Sequence, residues 1–348
     1  MTDSLKRSPL ADLYPEETKM MDFAGWQMPR DTGSIIAEHK TVRKKTGFFD
    51  LSHMGRFIIR GPKADEKMSR LFTRDLTAAD TGHALYGFIC NEKGFSLDDD
   101  IFYKRSTEEI WGVVNAANST KVYNWLVDNL SGLDITDMSA QTVLLAIQGP
   151  EAPDIFDELK LDLPEKLFRA NWNNNGMLAT TGYSGEAGGE AWLNIEEGKK
   201  VFKNLLKNNI TFCGLGARDS LRLEKGYPLH GHELNDQIDP ISAGLETFID
   251  WEHEFKGRSA LEKINRGGPK QKSQGLIFNS RRSPRPGAEV TDTTDGTVGK
   301  ITSASFCPSL NKAAALALLN PSLKPDQTVK VKTGNQEQTA RITPPPFI

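Results

Sequence analysis

The sequence predicts an α+β chain in which a long mixed region of strands and helices is followed by a small, closed β domain. Three observations carry this expectation. A unit of strand, Gly-Pro-x-Ala and helix occurs twice, at Phe57-Ile58-Ile59-Arg60-Gly61-Pro62-Lys63-Ala64 and at Leu144-Leu145-Ala146-Ile147-Gln148-Gly149-Pro150-Glu151-Ala152, with its two glycines 88 residues apart. That interval is too long for a solenoid repeat and suits a duplicated α/β subdomain. A proline at the first helical position has a local reason of its own and would give the same short match without common ancestry. Beyond the polar stretch Gly267-Gly268-Pro269-Lys270-Gln271-Lys272, short β runs at 275–278, 297–302, 313–318, 329–331 and 340–342 alternate with turn residues, as in a small closed β domain. Finally, 348 residues exceed one compact core and suit two or three domains, here divided as 1–266 and 273–348.

Composition excludes several classes of function. The chain carries 43 Lys and Arg against 46 Asp and Glu, so no basic excess points to nucleic acid or an anionic membrane. Cys90, Cys213 and Cys307 lie far apart and give neither a disulfide framework nor a zinc spacing. A reducing, cytoplasmic setting is expected. The polar start and the lack of a long apolar run predict neither a secretory leader nor a membrane span.

Along the chain, 10–29 reads as irregular, with Phe23-Ala24-Gly25-Trp26-Gln27-Met28-Pro29 a packed loop. A helix is expected over 34–46, capped by Ser34 and ended by Gly47, with Ile35, Ile36, His39 and Val42 on one stripe. Strands follow at 56–60, 86–90, 101–103 and 109–118, and helices at 119–130, 199–208 and 214–226. The glycine-rich run from Gly182 to Gly189 reads as a hairpin, not a strand-to-helix turn, so it is not a phosphate cradle. No zinc-like grouping of histidine with cysteine and no nucleophile elbow is visible, and the His230/His232 pair lacks a third ligand close in sequence.

Two carboxylate settings stand out. Asn91-Glu92-Lys93-Gly94 is turn chemistry between two β runs, and the second run opens with Asp98-Asp99-Asp100. Neighbours on a strand point to opposite faces, so Asp98 and Asp100 share one face and Asp99 takes the other. If one face is core, Asp99 is the acid buried or lining a cleft, where a bound ligand could partner it. A solvated acidic tip or a weak cation site accounts equally well for the run by itself. Glu190 is the second setting. It lies among glycines that let a flat ring approach the backbone, between Tyr183 and Trp192. A carboxylate there can accept two parallel N–H bonds from an amino-pyrimidinone edge, and Arg218 adds a planar donor fork. Taken one at a time, each is as well read as a surface ion pair.

An ordered series of motifs resembles the glycine cleavage system T-protein (aminomethyltransferase) family, from about Pro9 to the C-terminus. The series runs through Phe23-Ala24-Gly25-Trp26, Phe49-Asp50-Leu51-Ser52-His53-Met54-Gly55, Ala84-Leu85-Tyr86, Asn91-Glu92-Lys93-Gly94 with Leu97-Asp98-Asp99, and Val114-Asn115-Ala116-Ala117-Asn118. It continues with Gly182-Tyr183-Ser184-Gly185-Glu186, Gly216-Ala217-Arg218-Asp219-Ser220-Leu221-Arg222-Leu223-Glu224, Gly231-His232-Glu233-Leu234 and Thr302-Ser303. The resemblance implies a three-lobed, cloverleaf-like fold of two interleaved α/β lobes plus a small C-terminal β-barrel-like domain. It implies tetrahydrofolate as co-substrate, no metal or PLP, and a lipoyl carrier protein (H-protein) as partner. The family's key aspartate falls on Asp99, its pterin contacts fall on Glu190 and Arg218, Met54, Tyr86 and Tyr183 would line the folate channel, and Asn115 would lie near it. The implied reaction releases ammonia from the aminomethyl-lipoyl carrier and forms 5,10-methylenetetrahydrofolate. Alternatives are a tetrahydrofolate-dependent demethylase of a small methylated compound, or a non-enzymatic folate-binding protein of iron–sulfur maintenance. Against the last, Lys225-Gly226-Tyr227-Pro228 lacks the cysteine of that group's Lys-Gly-Cys-Tyr-x-Gly-Gln-Glu signature. This chain also departs from the T-protein pattern. Phe95 and Ser96 stand before Leu-Asp-Asp, His230 replaces a tyrosine, and Ala304 replaces the glycine after Thr-Ser. Thr180 and Ala187 replace an arginine and an aspartate in the glycine-rich run, which predicts a missing ion pair there.

Overall fold

The computed structural model describes residues 5–333 and 336–348. The chain forms two compact units, one made of Met1–Gly87 with Asp100–Arg218, the other of Phe88–Asp99 with Asp219–Ile348. In the first unit a six-stranded sheet runs in the order Ala170–Asn173, Gly176–Ala179, Gly188–Asn194, Thr142–Gln148, Gly47–Asp50, Thr211–Phe212. Continuous apolar runs such as Val143-Leu144-Leu145-Ala146-Ile147 make central strands, and Phe48, Leu145, Ile147, Leu193, Phe202 and Phe212 share one core. A five-stranded sheet runs in the order Ala84–Cys90, Ser96–Lys104, Glu109–Val114, Gly55–Arg60, Asp134–Asp137. Its first two strands carry the chain out of the unit after Gly87 and back at Asp100.

The segment expected to be an irregular loop before Pro29 contains a hairpin. Strands Lys19–Phe23 and Trp26–Asp31 pair antiparallel around Ala24 and Gly25, both with positive φ (52° and 78°). Two consecutive left-handed residues make the turn that a twisted hairpin needs, and alanine rarely advertises it. Ser34 caps the helix Ile35–Lys44 as expected, its hydroxyl accepting from the Ala37 N–H. Gly47 does not end that helix; Lys45 is the C-cap and Gly47 opens the strand Gly47–Asp50.

The repeated Gly-Pro-x-Ala unit shares its glycine conformation but not that of its third residue, with Lys63 left-handed at φ 59° and Glu151 at φ −93°. Gly61 has φ 135° and Gly149 has φ 138°, and the helices Ala64–Ser69 and Ala152–Glu158 follow them. Pro62 and Pro150 precede these helices; the proline inside a first turn is Pro153.

In the second unit the C-terminal strands close into a barrel in the order Lys272–Phe278, Lys312–Leu319, Thr297–Cys307, Glu289–Thr291, Thr328–Thr333, Gln336–Ile342. Leu276, Phe278, Val290, Ile301, Leu319 and Val331 fill it. The three-residue strand Glu289–Thr291, absent from the sequence reading, links Thr297–Cys307 to Thr328–Thr333. The helix Arg258–Gly267 runs into the polar stretch and stops at Gly268, whose φ is 77°.

The two repeat glycines share a backbone angle but not a neighbourhood. A Cβ at Gly149 would lie 2.0 Å from the Lys45 carbonyl oxygen, whereas at Gly61 it would meet the end of the Leu133 side chain at 2.9 Å. Gly149→Ala should therefore lower unfolding free energy by about 2–4 kcal/mol and Gly61→Ala by about 1–2 kcal/mol. Urea denaturation of the two variants checks this, and equal losses would mean that the shared backbone angle, not the clash, sets the cost.

Candidate active site

The glycine-rich segment 180–187 connects the strands Gly176–Ala179 and Gly188–Asn194. The second of these places Glu190 opposite Ala146 on one side and Ala179 on the other, and leaves it 6% exposed. The Thr181 hydroxyl donates to Glu190 Oε2 at 2.6 Å. The Arg218 guanidinium lies over the Tyr183 ring at 4.6 Å. Burial lowers the pKa of Arg218, and the charge of Glu190 and the hydroxyl of Tyr183 oppose that shift. Of the residues expected in the site, Glu190, Tyr183 and Arg218 thus form one cluster: a carboxylate acceptor, an aromatic face and a planar cation.

The glycines work differently from the sequence expectation. A Cβ at Gly189 would lie 2.6 Å from the Ala179 carbonyl oxygen, and one at Gly182 would lie 2.2 Å from Gln148 Oε1. The room they leave is filled by the protein itself, not held open for a ring. The expected gap in ion pairing is also met by another route, since Arg43 Nη1 donates to Glu186 Oε1 at 2.8 Å and to the Ser184 carbonyl at 2.6 Å.

Met54 and Asn115 sit together at one end of a strand pair, immediately beyond the register pair Gly55 and Val114. Both are half-buried. Asn115 precedes the short 3-10 turn Ala116–Asn118 with φ −62° and ψ 136°. Tyr86 is half-buried in the edge strand Ala84–Cys90, and its carbonyl accepts from Arg74 at 3.3 Å.

Asp99 belongs to the second unit, at the end of the tip that the chain makes between residues 88 and 99. Asn91 builds the tip: its N–H donates to the Phe95 carbonyl, its carbonyl accepts from Gly94, and its side-chain oxygen accepts from the Lys93 and Phe95 N–H groups. The strand Ser96–Lys104 alternates as its pattern predicts, but the inward face is the other one. Asp98 is 0% and Asp100 1% exposed, while Asp99 is half-buried. Alternation pairs the faces; it does not say which of them the rest of the chain covers.

The two histidines of the His230/His232 pair have separate tasks. His232 Nδ1 lies 2.9 Å from the Thr302 carbonyl and 3.2 Å from Ser303 Oγ. His230 Nε2 lies 3.9 Å from Asp98 Oδ1, and Asp98, Asp99 and His230 bring one ligand-type atom each within 4.8 Å of one another. The third neighbour missing close to His230 in sequence is supplied by the hairpin strand. This set matches a divalent-cation site or a hydrogen-bonded carboxylate–imidazole cluster alike.

His53 lies in the motif Phe49 to Gly55, and its surroundings explain its chemistry. It is 4% exposed and meets the Phe23 ring edge-on at 5.4 Å. Burial, then the charges of Arg218 and Arg56, push its pKa down to about 3, so it is neutral near pH 7. The unfolded chain takes up a proton near pH 6.5 that the folded chain refuses until about pH 3. This group's contribution to stability is therefore present above about pH 6.5 and is lost as pH falls through that window, by up to about 1.4 kcal/mol per pH unit. Unfolding free energies measured from pH 7 to pH 4 should fall less steeply in His53→Gln than in the parent, and parallel curves would refute this assignment.

Known proteins match this chain along nearly its whole length. The family described as GCVT N-terminal domain matches residues 13–253, and the glycine cleavage T-protein C-terminal barrel domain matches residues 273–348. An aminomethyltransferase of Staphylococcus saprophyticus is 36% identical over 98% of this chain and 98% of its own length. One of Symbiobacterium thermophilum is 36% identical over 100% of this chain and 98% of its own. The crystal structure of glycine cleavage system aminomethyltransferase T from Bartonella henselae superimposes with a TM-score of 0.95 at 29% identity, covering 99% of this chain and 98% of that one. With both domain descriptions matched in order and full-length relatives that are transferases, the chain belongs to the glycine cleavage T-protein family.

Proposed function

We propose that this enzyme takes the aminomethyl group from a lipoyl-lysine arm of a carrier protein and passes its carbon to tetrahydrofolate. The observation that carries the reading is the Glu190–Thr181 pair beside Arg218 stacked on Tyr183, which suits a reduced pterin. The carboxylate accepts N–H donors of an amino-pyrimidinone edge, and the guanidinium and aromatic ring offer planar contacts. Met54, Tyr86 and Asn115 supply further folate contacts. Asp99 acts at the folate N10 region, where a carboxylate stabilises positive charge developing on the reacting carbon and nitrogens.

The atoms balance without redox change. Two C–N bonds form, to N5 and N10 of tetrahydrofolate, while the C–N bond to the leaving ammonia and the C–S bond to the lipoyl sulfur break. The two N–H protons of the folate end on ammonia and on the freed thiol. The chain shows no flavin or nicotinamide fingerprint, so its donor is either already at the formaldehyde oxidation level, as an aminomethyl thioether is, or a methyl group moved without redox change. Cytoplasmic placement is part of the same reading, supported by three buried free thiols. Among the described residues, no helix is long and apolar enough to cross a membrane.

Two variants separate the roles. Asp99→Asn should lower kcat by about 10²-fold or more, with an unchanged Tm, because Asp99 is only half-buried. Asp98→Asn should lower Tm, because Asp98 is fully buried beside His230. Equal losses of turnover with equal Tm in both would remove Asp99 from its role. Glu190→Ala should weaken tetrahydrofolate binding by about 1.5–3 kcal/mol in calorimetry. The donor is tested by supplying tetrahydrofolate with aminomethylated carrier protein or with a panel of small methylated amines and ethers. Ammonia and 5,10-methylenetetrahydrofolate from the carrier are expected. 5-Methyltetrahydrofolate from a small molecule, with the carrier inert, would replace this reading with that of a demethylase.

A further inference from the structure

We propose that Thr181 is a positioning residue that fixes the Glu190 carboxylate in the one orientation that can receive a heterocycle edge with two adjacent N–H donors. The inference rests on the reading of Glu190 as the pterin acceptor and adds the device that aims it. The terminal torsion of a glutamate is broad, so a strand position alone does not set the plane of its carboxylate. Thr181 removes that freedom. It is 5% exposed, it is stiff at its β-branched Cβ, and its hydroxyl donates to Glu190 Oε2 at 2.6 Å.

The threonine is itself held from two sides. Gln148, 1% exposed, donates from Nε2 to the Thr181 carbonyl at 3.2 Å and to the Gly189 carbonyl at 3.3 Å, so one amide ties the glycine-rich segment to the strand that carries Glu190. Its Oε1 accepts from the Ser184 hydroxyl at 2.7 Å. The Tyr103 hydroxyl lies 3.5 Å from Thr181 Oγ1. A hydroxyl has one proton, and an ionised carboxylate can only accept, so the Thr181 proton is committed to Oε2. Oε1 and the second lone pair of Oε2 remain for the ligand. That pattern accepts a donor–donor edge and rejects an edge that presents a ring-nitrogen acceptor, which makes Thr181 a determinant of ligand class as well as of affinity.

The test measures tetrahydrofolate binding to the full-length protein by calorimetry in Thr181→Val, Thr181→Ser, Glu190→Gln and the double variant Thr181→Val/Glu190→Gln. Thr181→Val should weaken binding roughly tenfold, the scale of one charge-assisted hydrogen bond. Thr181→Ser, which keeps the hydroxyl, should stay within about twofold of the parent. In the Glu190→Gln background the valine substitution should cost less than about twofold, because its effect runs through the carboxylate. The same loss in both backgrounds would show general packing and overturn the proposal, as would a valine variant that binds like the parent. Should Thr181→Val fail to fold by circular dichroism, Thr181→Ala takes its place in the same cycle. An unchanged affinity in Glu190→Gln would instead refute the pterin assignment beneath, a separate and distinguishable failure.

Discussion

A guanidinium group brings five N–H donors and a charge it does not shed, so burying one requires an acceptor for each donor. Arg56 has no exposed surface and meets that demand with neutral oxygens. Its Nε donates to Thr142 Oγ1, one terminal nitrogen to the carbonyls of Ser52 and Met54, and the other to the carbonyls of Ser139 and Thr142. Arg56 lies in the five-stranded sheet and Thr142 begins a central strand of the six-stranded one, so a single side chain fastens these two sheets together. Burial brings its pKa down to about 10, and Asp50 and Asp137 oppose the shift. Asp50 in turn accepts from the hydroxyls of Ser8 and Tyr14 and from the Ser52 N–H.

The candidate site inherits its rigidity from this arrangement. The carbonyls that Arg56 holds flank His53, so the imidazole stands at a fixed place near two guanidinium groups. Its neutrality follows from where it is held. Glu190 is the carboxylate that answers Arg218, and its strand pairs with Thr142–Gln148, the strand whose first residue Arg56 grips. The polar groups of the first unit that lead to the candidate site are thus consecutive links: Arg56, Thr142, the central strand, Gln148, Thr181, Glu190.

Much of this was legible in the sequence wherever the signal was local. Ser34 announced a helix, Asn91 and Gly94 announced a hairpin, and the short β runs after Gly267 announced the barrel. Features that depend on partners far along the chain were not. Arg56 read as the polar start of a strand because its acceptors on Ser139 and Thr142 lie 83 and 86 residues away. Thr181 read as one more small residue in a glycine-rich run, and nothing in its spacing marks the bond to Glu190. The acids at 98–100 show the boundary most clearly. Strand parity sorted them into faces correctly, yet a neighbour of the buried Asp98 is His230, more than a hundred residues downstream. The Ala24-Gly25 turn was hidden for a different reason: its left-handed alanine is strained locally and held there by the pairing of the strands on either side.

The tip that ends in Asp99 also has a bearing on how the molecule is made. Residues 88–99 leave the ribosome early, but the unit they complete is otherwise built from residue 219 onward. The Ser96 N–H donates to the Ile238 carbonyl, Glu92 pairs with Lys256, and the Gly257 backbone packs against Asn91, all partners that do not yet exist when the tip emerges. Every residue of the first unit has been made once Arg218 is added, whereas the second needs nearly the whole chain. During synthesis the acid proposed for catalysis therefore waits for partners made much later and takes its final setting late. Interleaving ties the tip to complete translation, because a chain arrested before its last third lacks Ile238 and Lys256, the partners of Ser96 and Glu92.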